Sequence, residues 1–474
     1  MSAIRLALPA GRLRQPAAVL LTGAGLKVMD YGDGSRSYRP RLVGRNDIQL
    51  RVFRERDIPI QIALGNYDLG ICDLAWVEEL LQRYPSEAVV KVCSLGFGRS
   101  CLFAAVAATS AEGWCRDRRL RIVSEYPNLA EAFAMAARLS YHRVLPVWGA
   151  AEAYPPEDAD IAVVAAADEA ALPEEGLVPI SCLLRGSAWL IAHRQSLKRK
   201  DLAHLLTLLT AAGGGSGQRL HLPAPGEVEL PPLRNPTRHQ QEHPRLRLAL
   251  PDGHQQPHAV AILQAAGLPF DGYTHGTPSR RPRSHQAEVE AKVIRPQDMP
   301  QQVALGNFDL AITGRDWLLE HLRRVPDSPV EEAADLGRGR YTIAAVVSQD
   351  LPADNLEEAL ALWRRDGRRT IRVASEYANL ADHYARCHHF GHYQVIPISG
   401  AAEGFVPEDA DILIEGTETG RTLAENGLKI IDPLFSSTTC LIASKGRLQQ
   451  DRDGLLGRIV TMLAEAASER DVRA

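Results

Sequence analysis

The stretch LGNYDLGI at residues 64–71 recurs as LGNFDLAI at residues 305–312, 241 positions further along the 474-residue chain. SEYPNLA at 124–130 likewise recurs as SEYANLA at 375–381, but 251 positions further along. The second copy therefore holds about ten extra residues between these two blocks. So long a period indicates a duplicated domain and not a solenoid, whose repeats span tens of residues.

The segment between the two copies, residues 213–244, begins with GGGSG and continues as a proline-rich stretch with few apolar residues. This composition is typical of a flexible linker. The sequence thus predicts a first repeat at 1–212, a linker at 213–244 and a second repeat at 245–474.

Within each repeat, short apolar runs alternate with helical patterns. IRLALP at 4–9 and YDLGICD at 67–73 are typical of buried strands, whereas PNLAEAFAMAARLS at 127–140 has a proline at a helix start. This alternation predicts an α/β fold with mostly parallel sheets, whose ligands bind at the carboxyl ends of the strands.

The composition of the chain gives no sign of a nucleic-acid-binding or membrane protein. Hydrophobic residues make up 45% of the chain and charged residues 24%, with a formal net charge of -4, which gives no general affinity for nucleic acid or for acidic membranes. No apolar run reaches the ~18 residues of a spanning helix. Seven scattered cysteines without a CxxC pair fit free thiols in a reducing compartment. We therefore expect a cytoplasmic protein without a nucleic-acid or membrane partner.

The stretch EGTETGRT at 415–422 contains the residues that most clearly indicate a binding site. DILIE at 411–415 predicts a strand that ends on an acid, and the following glycines and threonines offer backbone N–H and hydroxyl donors that can surround a phosphate. An acid beside such a turn suits the hydroxyls of a ribose. The sequence indicates a ribose phosphate site, and an ordinary glycine-rich strand-to-helix turn is the alternative. The first-repeat counterpart, VAAADEAALPEEG at 164–176, lacks these donors.

The longer stretch ADILIEGTETGRTLAENGL at 410–428 resembles the signature of the ATP phosphoribosyltransferase family, which opens histidine biosynthesis. LPAGRL at 8–13 and GAAE at 149–152 also resemble that family, and the resemblance covers nearly everything except the linker. The chain departs from the family pattern at Glu415, where relatives usually have Asp, and at His254, which replaces the arginine of GRL. It resembles the short form of the family.

The resemblance implies two tandem units of the type II periplasmic-binding kind, each of two lobes with a cleft between them. It places lobe one of the first repeat at 1–96 plus 182–212 and lobe two at 97–181. In the second repeat it places lobe one at 245–337 plus 433–474 and lobe two at 338–432.

The implied reaction is attack by N1 of the adenine of ATP on the anomeric carbon of phosphoribosyl pyrophosphate, with release of pyrophosphate. The reaction needs the two substrates to be positioned and the charge on the leaving pyrophosphate to be neutralised. The resemblance implies Mg²⁺ bound to that pyrophosphate but no protein metal ligands. The predicted catalytic residues are Arg54, Arg36, Arg295 and Arg280. The predicted residues for phosphoribosyl pyrophosphate are Glu415, Thr417, Glu418, Thr419, Gly420, Arg421 and Thr422, and those for ATP are Arg12, Gly11 and Glu403.

The degenerate first copy of the loop suggests a division of labour. We expect a fused homodimer in which Arg54 of the first repeat completes the site on the second repeat. The alternative is a non-catalytic nucleotide- or anion-binding regulatory paralogue. The resemblance further implies a regulatory partner similar to histidyl-tRNA synthetase, and it leaves open whether the pseudo-dimers assemble into a homo-oligomer.

Overall fold

The computed structural model describes residues 3–35, 37–45, 47–110, 119–139, 141–212, 220–223, 227–228, 245–274, 276, 278–367, 370–451 and 453–471. Most of the predicted linker and the predicted catalytic residue Arg36 lie outside these residues. None of the helices within them is long and apolar enough to cross a membrane.

The first repeat contains two separate five-stranded sheets. In spatial order, one consists of Ile48–Phe53, Ile4–Pro9, Leu69–Asp73, Ala188–His193 and Val89–Ser94, and the other of Leu177–Gly186, Ser100–Ala107, Ile161–Ala166, Leu120–Ser124 and His142–Pro146. Each sheet forms one lobe, so two strand connections join the lobes. The strands at these connections pair antiparallel with their neighbours. The sheets are consequently mixed and not mostly parallel, because a chain that passes into the second lobe must also return from it.

The second repeat joins its two lobes in one eight-stranded sheet. Its spatial order is Val289–Ile294, Leu246–Pro251, Leu310–Gly314, Leu428–Ser444, Val330–Ser348, Ile412–Thr417, Ile371–Ser375 and Tyr393–Pro397. The two long central strands, of 17 and 19 residues, run through both lobes. The first repeat breaks the corresponding strands at Leu95–Arg99, where Gly96 and Gly98 have positive φ, and at Ser187.

Helices cover the faces of these sheets. In the first repeat they are Arg14–Gly23, Ile58–Ala63, Leu74–Arg83, Pro127–Ala136, Arg194–Arg199 and Ala203–Ala212. In the second they are Gln256–Ala265, Met299–Ala304, Arg315–Arg324, Leu356–Arg365, Ala378–Cys387, Arg421–Glu425, Lys445–Gln450 and Leu455–Asp471. Two short strand pairs complete the fold, Val28–Met29 with Arg41–Leu42 and Phe270–Asp271 with Arg283–Ser284. The predicted fold class, two tandem two-lobed α/β units, is confirmed.

The two repeats pack against each other about a pseudo-two-fold axis. Asp57 accepts a hydrogen bond from the backbone N–H of Ser399 at 3.0 Å, and the equivalent Asp298 accepts one from Trp148 at 2.9 Å. The rings of Phe53 and Phe405 also meet across this interface, with centroids 4.8 Å apart. Lobe one of each repeat therefore docks on lobe two of the other.

Ion pairs between the two repeats follow the same pseudo-two-fold symmetry. Arg51 of the first repeat bonds Glu408 of the second, and the equivalent Lys292 of the second repeat bonds Glu157 of the first at 2.9 Å. Lys292 also bonds Asp158, and both of these side chains are almost fully buried. Because a buried charge needs a partner of opposite charge, Lys292 and Asp158 each depend on the other at this interface.

Replacement of Lys292 by alanine is expected to destabilise the protein by about 3 kcal/mol, because Asp158 would stay buried with Arg247, 3.8 Å away, as its one remaining cation among the described residues. The midpoint of urea unfolding measures this loss. Arg281→Ala is the control, since its bonds to Glu157 and to the carbonyls of Ala153 and Pro155 are nearer the surface and should cost less than loss of the buried pair. Equal effects of the two changes would contradict the prediction.

Candidate active site

The strand predicted to end on Glu415 continues to Thr417, and a helix begins at Arg421, so the turn within the predicted loop is Glu418–Gly420 at the carboxyl end of that strand. Thr417 Oγ1 accepts a hydrogen bond from the N–H of Gly420 at 2.9 Å, and Gly420 has a φ of 70°, in the left-handed region that glycine adopts without strain. The side chains of Glu418 and Thr419 are exposed. The loop is therefore accessible to a ligand.

At the far end of the loop, Arg421, a predicted phosphate ligand, is paired with a neighbouring acid. Arg421 begins the short helix Arg421–Glu425, and its side chain is 73% exposed and bonds Glu425 at 2.7 Å. The backbone carbonyl of Thr422 accepts from Asn426 at 2.8 Å. Asn426 in turn accepts from the N–H of Tyr38 at 3.0 Å, which ties the loop to the first repeat.

Three carboxylates lie beside the loop, at Glu415, Glu376 and Glu403. Burial raises the pKa of Glu376 to about 7, while the nearby Arg54 lowers it. Burial also raises the pKa of Glu403, and that of Glu415 well above its ordinary value, with Glu376 and Glu403 adding to the effect. We call this region, with Gly400 and Arg54, the loop cleft.

Arg54 enters the loop cleft from the first repeat. A Cβ on Gly400 would lie 3.0 Å from Arg54 Nε and 2.9 Å from Glu376 Oε1, so only glycine allows this close approach. Among the residues that the structure describes, Arg54 forms no hydrogen bond or ion pair through its guanidinium. The charge of Arg54 therefore acts on Glu376 in the loop cleft, and no hydrogen bond to a described residue fixes its guanidinium.

Two other predicted catalytic residues, Arg280 and Arg295, lie elsewhere. A Cβ on Gly149 of the first repeat would lie 2.5 Å from Arg295 Nε. Arg280 donates to Glu152 of the first repeat at 2.6 Å. The pseudo-two-fold axis places both arginines in the equivalent cleft of the first repeat, away from the predicted loop.

We call this second region the mirror cleft. Its members are Glu125, Gly149, Glu152, Val164, Asp252, Arg280 and Arg295. Burial raises the pKa of Glu125 to about 7, as it does for the equivalent Glu376. Burial alone would lower the pKa of Arg280, but Glu152 and Asp252 raise it above the ordinary value. Positive charge in the mirror cleft is already neutralised by protein carboxylates.

The mirror cleft also has the degenerate loop. Val164 is buried at the position of Glu415, and Asp168 Oδ1 accepts hydrogen bonds from the N–H groups of Ala170 and Ala171 at 3.0 and 3.2 Å. The backbone donors at this turn are thus directed to a protein carboxylate. An added phosphate would meet Asp168 at close range and be repelled.

The predicted ATP-binding residues are not all in one place. Gly11, with a φ of 70°, lies beside Arg54, and a Cβ on it would be 3.9 Å from Arg54 Nη1. Arg12 points into the first repeat, where it bonds Asp73 and the carbonyl of Gly98. Glu403 lies in the loop cleft.

Sequence reasoning missed a group of hydroxyls next to the loop. Tyr341 packs its ring on Gly416, where a Cβ would lie 2.9 Å from the ring. Buried Asp316 accepts hydrogen bonds from Tyr377 and Ser437, each at 2.7 Å. Glu376 was also missed, although its SEY tripeptide recurs in both repeats and could have signalled it.

The raised pKa of Glu376 predicts that the stability of the protein depends on pH. Its pKa lies higher in the folded protein than in the unfolded chain, so stability is full below about pH 4.5 and is lost as the pH rises through 7. Glu376→Gln should remove this loss and stabilise the protein by up to about 3 kcal/mol at pH 8, with little change at pH 4.5. Unfolding curves at the two pH values measure it. An equal gain at both would contradict the titration of this group.

The model of the family described as HisG: ATP phosphoribosyltransferase matches residues 54–211 and again residues 295–465, together more than half of the chain. An ATP phosphoribosyltransferase of Chlorobium chlorochromatii (strain CaD3) is 33% identical over 205 residues, which is 43% of this chain and 65% of that protein. One from Moorella thermoacetica is 34% identical over 206 residues, 42% of this chain and 84% of the relative.

Among solved structures, the ATP phosphoribosyl transferase (HisG:HisZ) complex from Thermotoga maritima aligns with 47% of this chain and 99% of its own, at 21% identity and a TM-score of 0.38. This chain spans about 65% of the length of the Chlorobium relative. The family model matches both repeats separately, as a tandem duplication requires. The chain therefore belongs to the ATP phosphoribosyltransferase family.

Proposed function

We propose that this protein transfers phosphoribose from phosphoribosyl pyrophosphate to N1 of ATP, and that the loop cleft is its only working site. The observation that carries the proposal is an accessible Gly/Thr loop on the second repeat in the same cleft as the guanidinium of Arg54 from the first, which forms no hydrogen bond or ion pair with the described residues although it lies close to Glu376. Membership of the family supports it independently.

The loop would bind the 5-phosphate of the sugar. The hydroxyls of Thr417, Thr419 and Thr422 and the N–H groups of Glu418 and Thr419 would be the donors. The N–H groups of Gly420 and Arg421 bond the hydroxyl oxygens of Thr417 and Thr419 and hold the turn in shape. Glu415 would accept from the ribose hydroxyls. This arrangement fixes the sugar while leaving its anomeric carbon exposed to a nucleophile.

In the reaction, adenine N1 forms a bond to the anomeric carbon as the bond from that carbon to pyrophosphate breaks. Negative charge grows on the departing oxygen, and Arg54 would neutralise it. A preformed charge in a site partly shielded from water is more effective than one in solution. No residue has to form a covalent intermediate.

Mg²⁺ would enter with the pyrophosphate. Glu376, Glu403 and Glu415 offer oxygen atoms, which this ion prefers, but no group of three or more His, Cys, Asp or Glu in the described part of the chain is arranged to hold a metal. The proposed transfer relies on Arg54 and the donors of the loop.

The remaining features of the proposal come from the family. They are binding of ATP near Gly11 and Glu403, a place in histidine biosynthesis, a cytoplasmic location and a regulatory partner similar to histidyl-tRNA synthetase. The Thermotoga maritima structure is a HisG:HisZ complex. Copurification from the source cells and mass measurement would test whether this chain has such a partner, and would also give its homo-oligomeric state.

A coupled assay for pyrophosphate release tests the activity. We expect release that requires both ATP and phosphoribosyl pyrophosphate, with or without a regulatory subunit added. Calorimetric binding of each substrate serves as the parallel measurement. Binding without release under both conditions would favour the alternative of a non-catalytic regulatory paralogue.

A further inference from the structure

The two clefts are built from equivalent residues, so each serves as an internal reference for the other. The equivalent pairs, with the loop cleft first, are Arg54 and Arg295, Gly400 and Gly149, Glu376 and Glu125, and Glu403 and Glu152. Three positions differ in charge. Glu415 of the loop cleft is opposite Val164, Tyr38 is opposite Arg280, and the third pair is central here. The residue after the first strand is Ala10 in the first repeat and Asp252 in the second.

The backbone is the same at these two positions. Ala10 has φ and ψ of -86° and 175°, Asp252 has -101° and -178°, and each is followed by a glycine with a φ of 70°. The strand before each residue ends in Leu-Pro. Asp252 therefore differs from Ala10 in its side chain but not in its backbone conformation.

Both oxygens of Asp252 are used. Oδ2 accepts from Arg280 Nη1 at 2.9 Å, and Oδ1 accepts from Arg295 Nη1 at 3.0 Å. The carboxylate is 9% exposed, so water competes little for it. Charge-assisted bonds of this kind are among the strongest in proteins. Two arginines that face the mirror cleft are thus bound to one internal anion.

The equivalent position of the loop cleft carries no anion. Ala10 is buried, and the neighbouring Gly11 places its Cβ position 3.9 Å from Arg54 Nη1. A carboxylate at position 10 would reach Arg54 as Asp252 reaches Arg295. Alanine at this position leaves the guanidinium of Arg54 to an incoming ligand.

We propose that Asp252 closes the mirror cleft to pyrophosphate and so determines that only one of the two clefts accepts this group. This inference rests on the proposed function insofar as pyrophosphate is the anion that Arg54 receives. A free anion must displace a carboxylate attached to the chain, whose effective concentration at the arginines is high. The mirror cleft thus holds a latent anion site filled by the protein's own side chain.

The test is calorimetric titration with inorganic pyrophosphate, which needs no turnover. We expect one bound pyrophosphate in the natural chain and two in Asp252→Ala, with a gain in affinity of the mirror cleft of at least tenfold, or about 1.4 kcal/mol. Asp252→Asn keeps the shape of the side chain and should give the same gain if the alanine variant folds poorly. Adding Arg295→Ala to Asp252→Ala should remove the second site.

The reciprocal change strengthens the test. Ala10→Asp should abolish binding in the loop cleft, and the combined Ala10→Asp and Asp252→Ala variant should bind one pyrophosphate in the mirror cleft. Two sites in the natural chain, or no gain in either Asp252 variant, would overturn the proposal. Absence of turnover in the natural chain would count only against the proposed function, since the change in binding is measured without it.

Discussion

We expect turnover to fall by about 10² to 10³ when Arg54 is replaced by alanine, because the charge that should develop on the departing pyrophosphate then has no guanidinium to neutralise it. The guanidinium forms no hydrogen bond or ion pair with the described residues, and it lies close to Gly400 and Glu376. Steady-state rates of pyrophosphate release measure the loss. Most of it should appear in kcat, since the charge grows mainly in the transition state.

The equivalent change, Arg295→Ala, is the matched control. It removes the same group from the mirror cleft, where Asp252 already neutralises it, so it should lower turnover far less than Arg54→Ala. Arg54→Lys should recover only part of the activity, because an ammonium lacks the planar fork that pairs with two phosphate oxygens. Equal losses at Arg54 and Arg295 would contradict the assignment of one working cleft.

The second large effect concerns the loop. The double change Thr419→Ala and Gly420→Asp should reduce turnover by more than about 10², because it removes a hydroxyl and places a carboxylate where the 5-phosphate is expected. A side chain at Gly420 meets no atom within 4 Å, and Asp tolerates its positive φ better than most residues. A side chain at this φ is still strained, so we expect a loss of about 1 kcal/mol of stability, with most of the lost turnover coming from lost binding.

Calorimetric binding of phosphoribosyl pyrophosphate should be lost in parallel, while thermal unfolding changes little. Asp168→Ala, at the position equivalent to Thr419, is the control in the mirror cleft. It removes two backbone bonds and costs about 1 kcal/mol of stability, but it should leave turnover unchanged. Full activity in the loop double variant would refute the site.

The relation between the clefts also gives a physical reason for the fusion of two repeats. The loop and Arg54 belong to different repeats, and neither forms the cleft alone. In one chain, each of the equivalent positions can change independently, which a symmetric pair of identical chains does not allow. Asp252 opposite Ala10, and Val164 opposite Glu415, are changes of this kind.

The sequence by itself determined the features that depend on local patterns. The duplication, the strand IRLALP, the helix start at Pro127 and a strand-to-helix turn within 415–422 all appear in the structure, because hydrophobic spacing and turn chemistry specify them over a few residues. The turn is shorter than predicted, because the strand continues to Thr417 and the helix begins at Arg421. The short helix Arg421–Glu425 also follows from these local signals.

Only the tertiary structure decided which residues meet. Arg280 and Arg295 lie in the same repeat as the loop, yet the pseudo-two-fold packing carries them to the mirror cleft. The family resemblance suggested that Arg54 of the other repeat completes the site, and the packing brings Arg54 to Gly400. The joining of two lobes by strands of 17 and 19 residues, and the antiparallel pairs it produces, were likewise absent from the local pattern. Contacts between distant segments depend on how whole lobes pack, and the short-range periodicity of a sequence does not encode that arrangement.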